Sequence, residues 1–150
     1  MRIDNFYTER VQDYTPEVAH QIGQLLPVID NRLVALPVSE ELLRPIIESP
    51  DRELIVAKNV GHKIVGVAAL NEAVGLTGRH AVLSDMVLQP EARKAGASEL
   101  LRDEVIAWCH ERRLELHLSG LPKLTMLAFY GSNIVLGPAT TYTIPIARSV

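Results

Sequence analysis

Apolar residues recur along this chain with two different periods, and the change of period divides it into elements. Val18, Ile22, Leu25 and Leu26 fall on one stripe of a helix. Thr15 is placed to cap that helix, Pro16 suits its first turn, and Pro27 ends or kinks it. A second short helix is predicted after Ser39, with Glu40 and Glu41 near its positive end and Leu42, Leu43, Ile46 and Ile47 as its buried face. Ser49-Pro50 closes it. From Glu53 the pattern becomes β-like. Residues 53–58 and 63–70 read as two strands around an Asn59-Val60-Gly61-His62 hairpin loop, and residues 81–88 as a third strand after a 75–78 turn. Residues 98–113 form the clearest helix, with Leu101, Val105 and Trp108 as its stripe. Leu114, Leu116 and Leu118 alternate with Glu115 and His117 as a short strand. Residues 122–132 have no decided period, and residues 140–147 read as a last strand, which Pro145 places at a sheet edge. Residues 1–13 are polar and weakly patterned.

Adjacent strands favour antiparallel hairpins, whereas the strand–helix–strand unit from Ala81 to Leu118 favours a parallel pair with a right-handed crossover. The expected class is α+β: an α/β sandwich around a mixed, mostly antiparallel sheet with one parallel strand pair. A length of 150 residues suits a single domain spanning 1–150. Fifteen basic against eighteen acidic residues leave a formal charge of −3, with no basic cluster to hold a nucleic-acid backbone. The longest uncharged runs, such as Ile64 to Leu70, are far shorter than a membrane span, and Met1-Arg2-Ile3-Asp4 does not open a signal peptide. A cytoplasmic protein without nucleic-acid or membrane partners is expected. The single cysteine, Cys109, excludes an internal disulfide and suits a core position. His20, His62, His80, His110 and His117 show no zinc-ligand spacing, so no metal is expected.

The informative stretch is Leu83-Ser84-Asp85-Met86-Val87-Leu88-Gln89-Pro90-Glu91-Ala92-Arg93-Lys94-Ala95-Gly96-Ala97-Ser98. A strand ends near Pro90, and a loop of small residues leads directly into the strongest helix. The first N–H groups of a helix lack internal partners and lie at the positive end of its dipole, where they can bind a phosphate. Ala95, Gly96, Ala97 and Ser98 permit close approach, and Arg93 and Lys94 add positive charge. The same residues also suit a plain strand-to-helix turn in which Gly96 serves only the backbone.

This stretch resembles the signature of the GNAT acyl-CoA-dependent N-acyltransferases, a V-x-P-x-x-R run followed by x-x-G-x-G/A. Leu88 stands at the V position, Arg93 at the Arg/Gln position and Gly96 at the central glycine, while Ser98 replaces the final Gly/Ala. The order of elements over residues 15–145 is similar to the GNAT fold. The resemblance implies that backbone amides of Arg93, Lys94, Ala95, Gly96, Ala97 and Ser98 hold the coenzyme A pyrophosphate. It further implies that the strand carrying Met86, Val87 and Leu88 splays from its parallel neighbour and receives the pantetheine arm on its backbone. Tyr130, in Ala128-Phe129-Tyr130, corresponds to the family's general acid and equally suits a core aromatic. Asp85 is a candidate general base and equally suits a solvated charge, with Glu72 and His80 as other acidic or basic groups expected near the acceptor cleft. After Tyr130 the family continues x-x-x-G-F, whereas this chain has Gly131-Ser132-Asn133-Ile134-Val135.

The implied activity is transfer of an acetyl group from acetyl-CoA, as co-substrate, to a primary amine of a small molecule or peptide by direct attack. The alternatives are a non-catalytic acyl-CoA-binding or sensory module and an interaction domain that keeps only the fold. Self-association as a homodimer through the edge strand at 140–147 is a further expectation.

Overall fold

The structure, a computed structural model, describes residues 5–119 and residues 2, 3, 129, 135, 136 and 141–144; of residues 2, 3, 119, 135, 136 and 141–144 it describes the backbone. The α+β mixed-sheet architecture expected from the sequence is the one observed. Two short strands come first, β1 (Arg2–Ile3) and β2 (Phe6–Arg10). Three helices follow, α1 (Pro16–Gly23), α2 (Leu26–Ile29) and α3 (Glu40–Glu48). Next come strands β3 (Arg52–Asn59), β4 (Ile64–Gly75) and β5 (Gly78–Leu88). Helices α4 (Pro90–Lys94) and α5 (Ala97–Arg112) precede β6 (Leu116–Ser119), β7 (Val135–Leu136) and β8 (Thr141–Ile144).

The helix starts are built as the sequence predicts. The Thr15 hydroxyl accepts from the Val18 N–H at 3.1 Å, and the Ser39 hydroxyl accepts from the Leu42 N–H. Leu42, however, is 68% exposed, so the buried face of α3 consists of Leu43 and Ile47 with Ile46 beside them. The Pro45 ring inside α3 did not prevent the helix from continuing to Glu48.

Among the described residues the strands form one sheet in the order β1-β2-β3-β4-β5-β6-β8-β7. Every pairing is antiparallel except β5 with β6. One face of the sheet packs on α5 through Ile55, Leu70, Leu83, Met86, Leu88, Leu101, Val105 and Trp108. The other packs on α1 and α3 through Ala19, Ile22, Leu43, Ile47, Val56, Val67 and Val87. Alternate residues of β4 and β5 thus supply two cores, which is why Ile64 to Leu70 of β4 reads as an unbroken apolar run.

Strand β2 and the place of the last strand depart from the sequence expectations. Strand β2 was hidden because only Phe6 is buried. Arg10 instead joins β2 to α5 by ion pairs at 2.7 Å to Glu104 and at 2.7 Å to Glu111, an arrangement that hydrophobic periodicity does not register. The last strand is not an edge: β8 lies between β6 and β7, pairing Thr143 with both His117 and Val135. Among the described residues, β8 is therefore an inner strand and not the sheet edge expected from Pro145. Gly23 lets the end of α1 approach the chain ahead of α3 closely. A Cβ there would lie 2.0 Å from the Leu36 carbonyl oxygen, a contact no side chain tolerates.

Candidate active site

Strand β5 changes its partnership midway, and this change creates the site. Its parallel pairing with β6 begins at Ala81 opposite Leu116 and stops at Leu83 opposite Leu118. Strand β5 then runs on to Leu88, paired with β4 through Gly66 opposite Leu88. Strand β6 meanwhile stays with β8 as far as Ser119 opposite Thr141. The sheet therefore forks after Leu83.

A bulge sits at the fork. Ala69 faces Asp85 while Leu70 faces Leu83, so Ser84 is an extra residue on β5. Such an insertion bends a strand and redirects the side chains around it. The Ser84 hydroxyl donates to the Ala69 carbonyl at 3.1 Å and so holds the bulge in place. No sequence signal marked it, because Ser84 simply interrupts the alternation between Leu83 and Met86. Beside the bulge, on the face of α3, lies a cavity of about 260 Å³ lined by Ile46, Arg52, Ala69, Leu70, Asn71 and Ser84.

The end of β5 leads into the loop singled out from the sequence. Pro90 starts α4, a turn of helix where a loop was expected, and its bonds occupy several of the amides in question. The Arg93 N–H donates to Gln89, the Ala95 N–H to Glu91 and Ala92, and the Gly96 N–H to Arg93. The expectation that all amides from Arg93 to Ser98 are open therefore narrows. Gly96 then turns the chain with φ of 98°, in the left-handed region, and is the N-cap of α5. Its missing side chain offers no cap. The N–H groups of Ala97, Ser98 and Glu99 in the first turn of α5 have no partner among the described residues, and the first backbone bond of the helix is from Leu100 to the Gly96 carbonyl at 3.4 Å. Ser98 is buried inside this turn and does not cap the helix, because the cap falls two residues earlier. Arg93 is half-buried and Lys94 exposed, at the end of α4 just ahead of these donors in the chain. Open amides at the positive end of a sixteen-residue helix, with two cations alongside, suit a phosphate group.

Met86, Val87 and Leu88 lie on the forked part of β5, and their side chains are buried: Met86 and Leu88 toward α5, Val87 toward α1 and α3. Asp85 sits opposite Ala69 and so shares the cavity face of the sheet. Its carboxyl is exposed, and partial desolvation raises its pKa above the ordinary carboxylate value. Tyr130 lies outside the described residues; its neighbour Phe129 is fully buried in the core under α5.

Other candidates are accounted for structurally. Glu72 is paired with Arg79 at 3.1 Å. Cys109 is fully buried, and burial pushes its thiol pKa up to about 12, so it is no nucleophile. His80 stacks on His117 with ring centroids 4.1 Å apart. Burial, and secondarily the charge of His80, lower the His117 pKa. The pair stands on the cavity face, since His117 is level with Val82, which faces Asn71. The pairing of these two histidines depends on the parallel register of β5 and β6 and has no signature in sequence spacing. Among the described residues no group of His, Cys, Asp and Glu is placed to hold a metal ion, and no helix is long and apolar enough to cross a membrane.

The desolvation of Asp85 sets a stability prediction. Its folded pKa is raised, so the folded chain holds this proton more tightly than the unfolded chain does. The contribution is fully present below the unfolded value of 3.8 and is lost as pH rises through the higher folded value. At pH 7 the ionised group therefore opposes folding. Asp85→Asn should raise the thermal midpoint at pH 7, with the gain shrinking as the pH is lowered toward 4. Melts across that range check it; a lower midpoint for the variant at pH 7 would contradict it.

The Acetyltransferase (GNAT) family matches residues 23–131 of this chain. No curated protein matches it. Among solved structures, an aminoglycoside acetyltransferase from an uncultured soil metagenomic sample is 19% identical, with 85% of this chain and 86% of that one covered and a TM-score of 0.66. A GNAT-family acetyltransferase from Streptococcus pneumoniae is 16% identical, with coverage of 92% and 96% and a TM-score of 0.66. The aminoglycoside 6′-N-acetyltransferase of Acinetobacter baumannii is 14% identical, with coverage of 73% and 74% and a TM-score of 0.56. At these identities the structures speak for the fold.

Proposed function

The chain belongs to the GNAT acetyltransferase family, and from that premise we propose that it transfers an acetyl group from acetyl-CoA to a primary amine by direct attack. The observation that carries this reading is the fork of β5 from β6 beside the open amides of Ala97 and Ser98. The diphosphate is held at the start of α5, where Arg93 and Lys94 supply charge. The pantetheine arm lies along the β5 edge past Leu83, next to Val87 and Leu88, and brings the thioester to the bulge at Ser84. Each backbone hydrogen bond along that edge contributes on the order of 1 kcal/mol net, so several together fix the position of the reacting carbonyl.

The acceptor enters from the α3 face, where the cavity opens next to the bulge. Its nitrogen attacks the thioester carbon, the carbon–sulfur bond breaks, and the thiolate takes up a proton. Two proton transfers are needed. Asp85 is on the acceptor face, and its raised pKa makes it a stronger base than an ordinary carboxylate. Tyr130 is assigned the proton donor to the thiolate on its resemblance to the family's general acid.

The test is thiol release from acetyl-CoA over a panel of primary amines, with calorimetry of acetyl-CoA binding alongside. Binding with turnover is the expected result. Binding without turnover for any amine would make the protein a coenzyme-binding module, and absence of both would contradict the assignment of the fork.

A further inference from the structure

The cavity beside the bulge is lined by an exposed arginine, Arg52, that has no carboxylate partner among the described residues. Arg10, Arg32, Arg44, Arg79, Arg102 and Arg112 each meet a carboxylate within 4 Å, whereas Arg52, like Arg93 and Arg113, meets none among the described residues. Directly opposite Arg52 on β4 is Asn71, which also lines the cavity. Side chains so opposed share one face of the sheet and reach the same volume. An arginine fork and a primary amide next to each other are donors suited to two carboxylate oxygens.

We propose that Arg52 and Asn71 bind a carboxylate on the acceptor, so that the acceptor is an amino-acid-like molecule carrying both a primary amine and a carboxylate. This inference rests on the acetyltransferase reading and names the class of its acceptor. Arg52 is on β3 and the bulge is on β5, two strand spacings or roughly 10 Å away. The carboxylate is thereby held to one side while the amine points to the fork, where Asp85 carries the opposite charge. Ile46 and Ala69, on the α3 face of the sheet, form an apolar wall between these poles. A volume of about 260 Å³ lies below the roughly 300–1,000 Å³ of pockets for drug-sized ligands, and so suits a compact acceptor. Polycationic acceptors such as aminoglycosides meet a like charge at Arg52, which acts against them.

The test compares amino acids with their decarboxylated amines, leucine with isoamylamine and lysine with cadaverine. Calorimetry on the full chain saturated with coenzyme A reads binding without requiring turnover. At least tenfold tighter binding of each amino acid is expected. Arg52→Gln and Asn71→Ala should each remove most of that preference, with acetyl-CoA affinity and thermal midpoint little changed. In turnover the Arg52→Gln effect should appear in KM rather than kcat. Equal or tighter binding of the decarboxylated amines, no heat from either amino acid, or an undiminished preference in both variants would overturn the proposal. If acetyl-CoA still binds in those cases, only the acceptor class is lost. Failure of acetyl-CoA itself to bind would overturn the reading on which this inference rests.

Discussion

Gly96→Glu is expected to weaken acetyl-CoA binding by more than a hundredfold. Two effects combine. Gly96 holds φ at 98° where α4 ends and α5 begins, and a side chain in that region costs about 1–2 kcal/mol. The larger effect is electrostatic. A carboxylate at the N-cap stands beside the open N–H groups of Ala97, Ser98 and Glu99, competes for them as a capping acceptor, and repels the diphosphate they would receive. Gly96→Ala separates the terms, because it imposes the strain without the charge and should lose far less affinity. Calorimetric titration of both variants decides the matter; an affinity for Gly96→Glu within threefold of the parent would place the diphosphate elsewhere.

Trp108→Ala should destabilise the fold by about 3–5 kcal/mol, the usual range for removing a large aromatic from a core. Trp108 is 1% exposed in the cluster under α5, together with Leu101, Leu116 and Phe129. The Arg112 guanidinium lies over its ring, 4.5 Å from the centroid, so the substitution also removes a cation–π contact. The thermal midpoint should fall by roughly 6–20 °C for a chain of this size. Urea melts with an unchanged slope would assign the loss to native packing; a loss under 1 kcal/mol would mean that the site collapses around the gap.

The elements that positioned the site were legible where a local pattern coincides with a local cause. Thr15 and Ser39 are caps followed by apolar stripes, and both helices begin there. The parallel pair was predicted because a sixteen-residue helix between two short apolar strands leaves little alternative to a crossover. Gly96 reads in the sequence either as room for a phosphate or as a turn glycine, and its φ of 98° places it at the turn, although the turn of helix just before it was not anticipated. Pro90 suits a first helical turn and equally suits a loop, and only the folded chain shows the Arg93, Ala95 and Gly96 amides closing bonds inside that turn.

What the sequence hid depends on register. The Ser84 bulge arises because two residues of β5 face one interval of β4, and no single-strand pattern carries that count. Arg52 and Asn71 are nineteen positions apart and meet only through the antiparallel register of β3 and β4. Arg52 opens β3 and Asn71 lies inside β4, and each, taken alone, is an unremarked polar residue. Strand β2 escaped because ion pairs from Arg10, rather than an apolar stripe, tie it to α5.

Amide hydrogen exchange with and without saturating acetyl-CoA tests the central claim most directly, since it reads the backbone groups themselves. Slowed exchange is predicted in two separate peptides, one covering residues 97–99 and one covering residues 84–88, with the α1 amides unchanged. Protection confined to other parts of the chain, or none at either segment once the coenzyme is bound, would contradict the account.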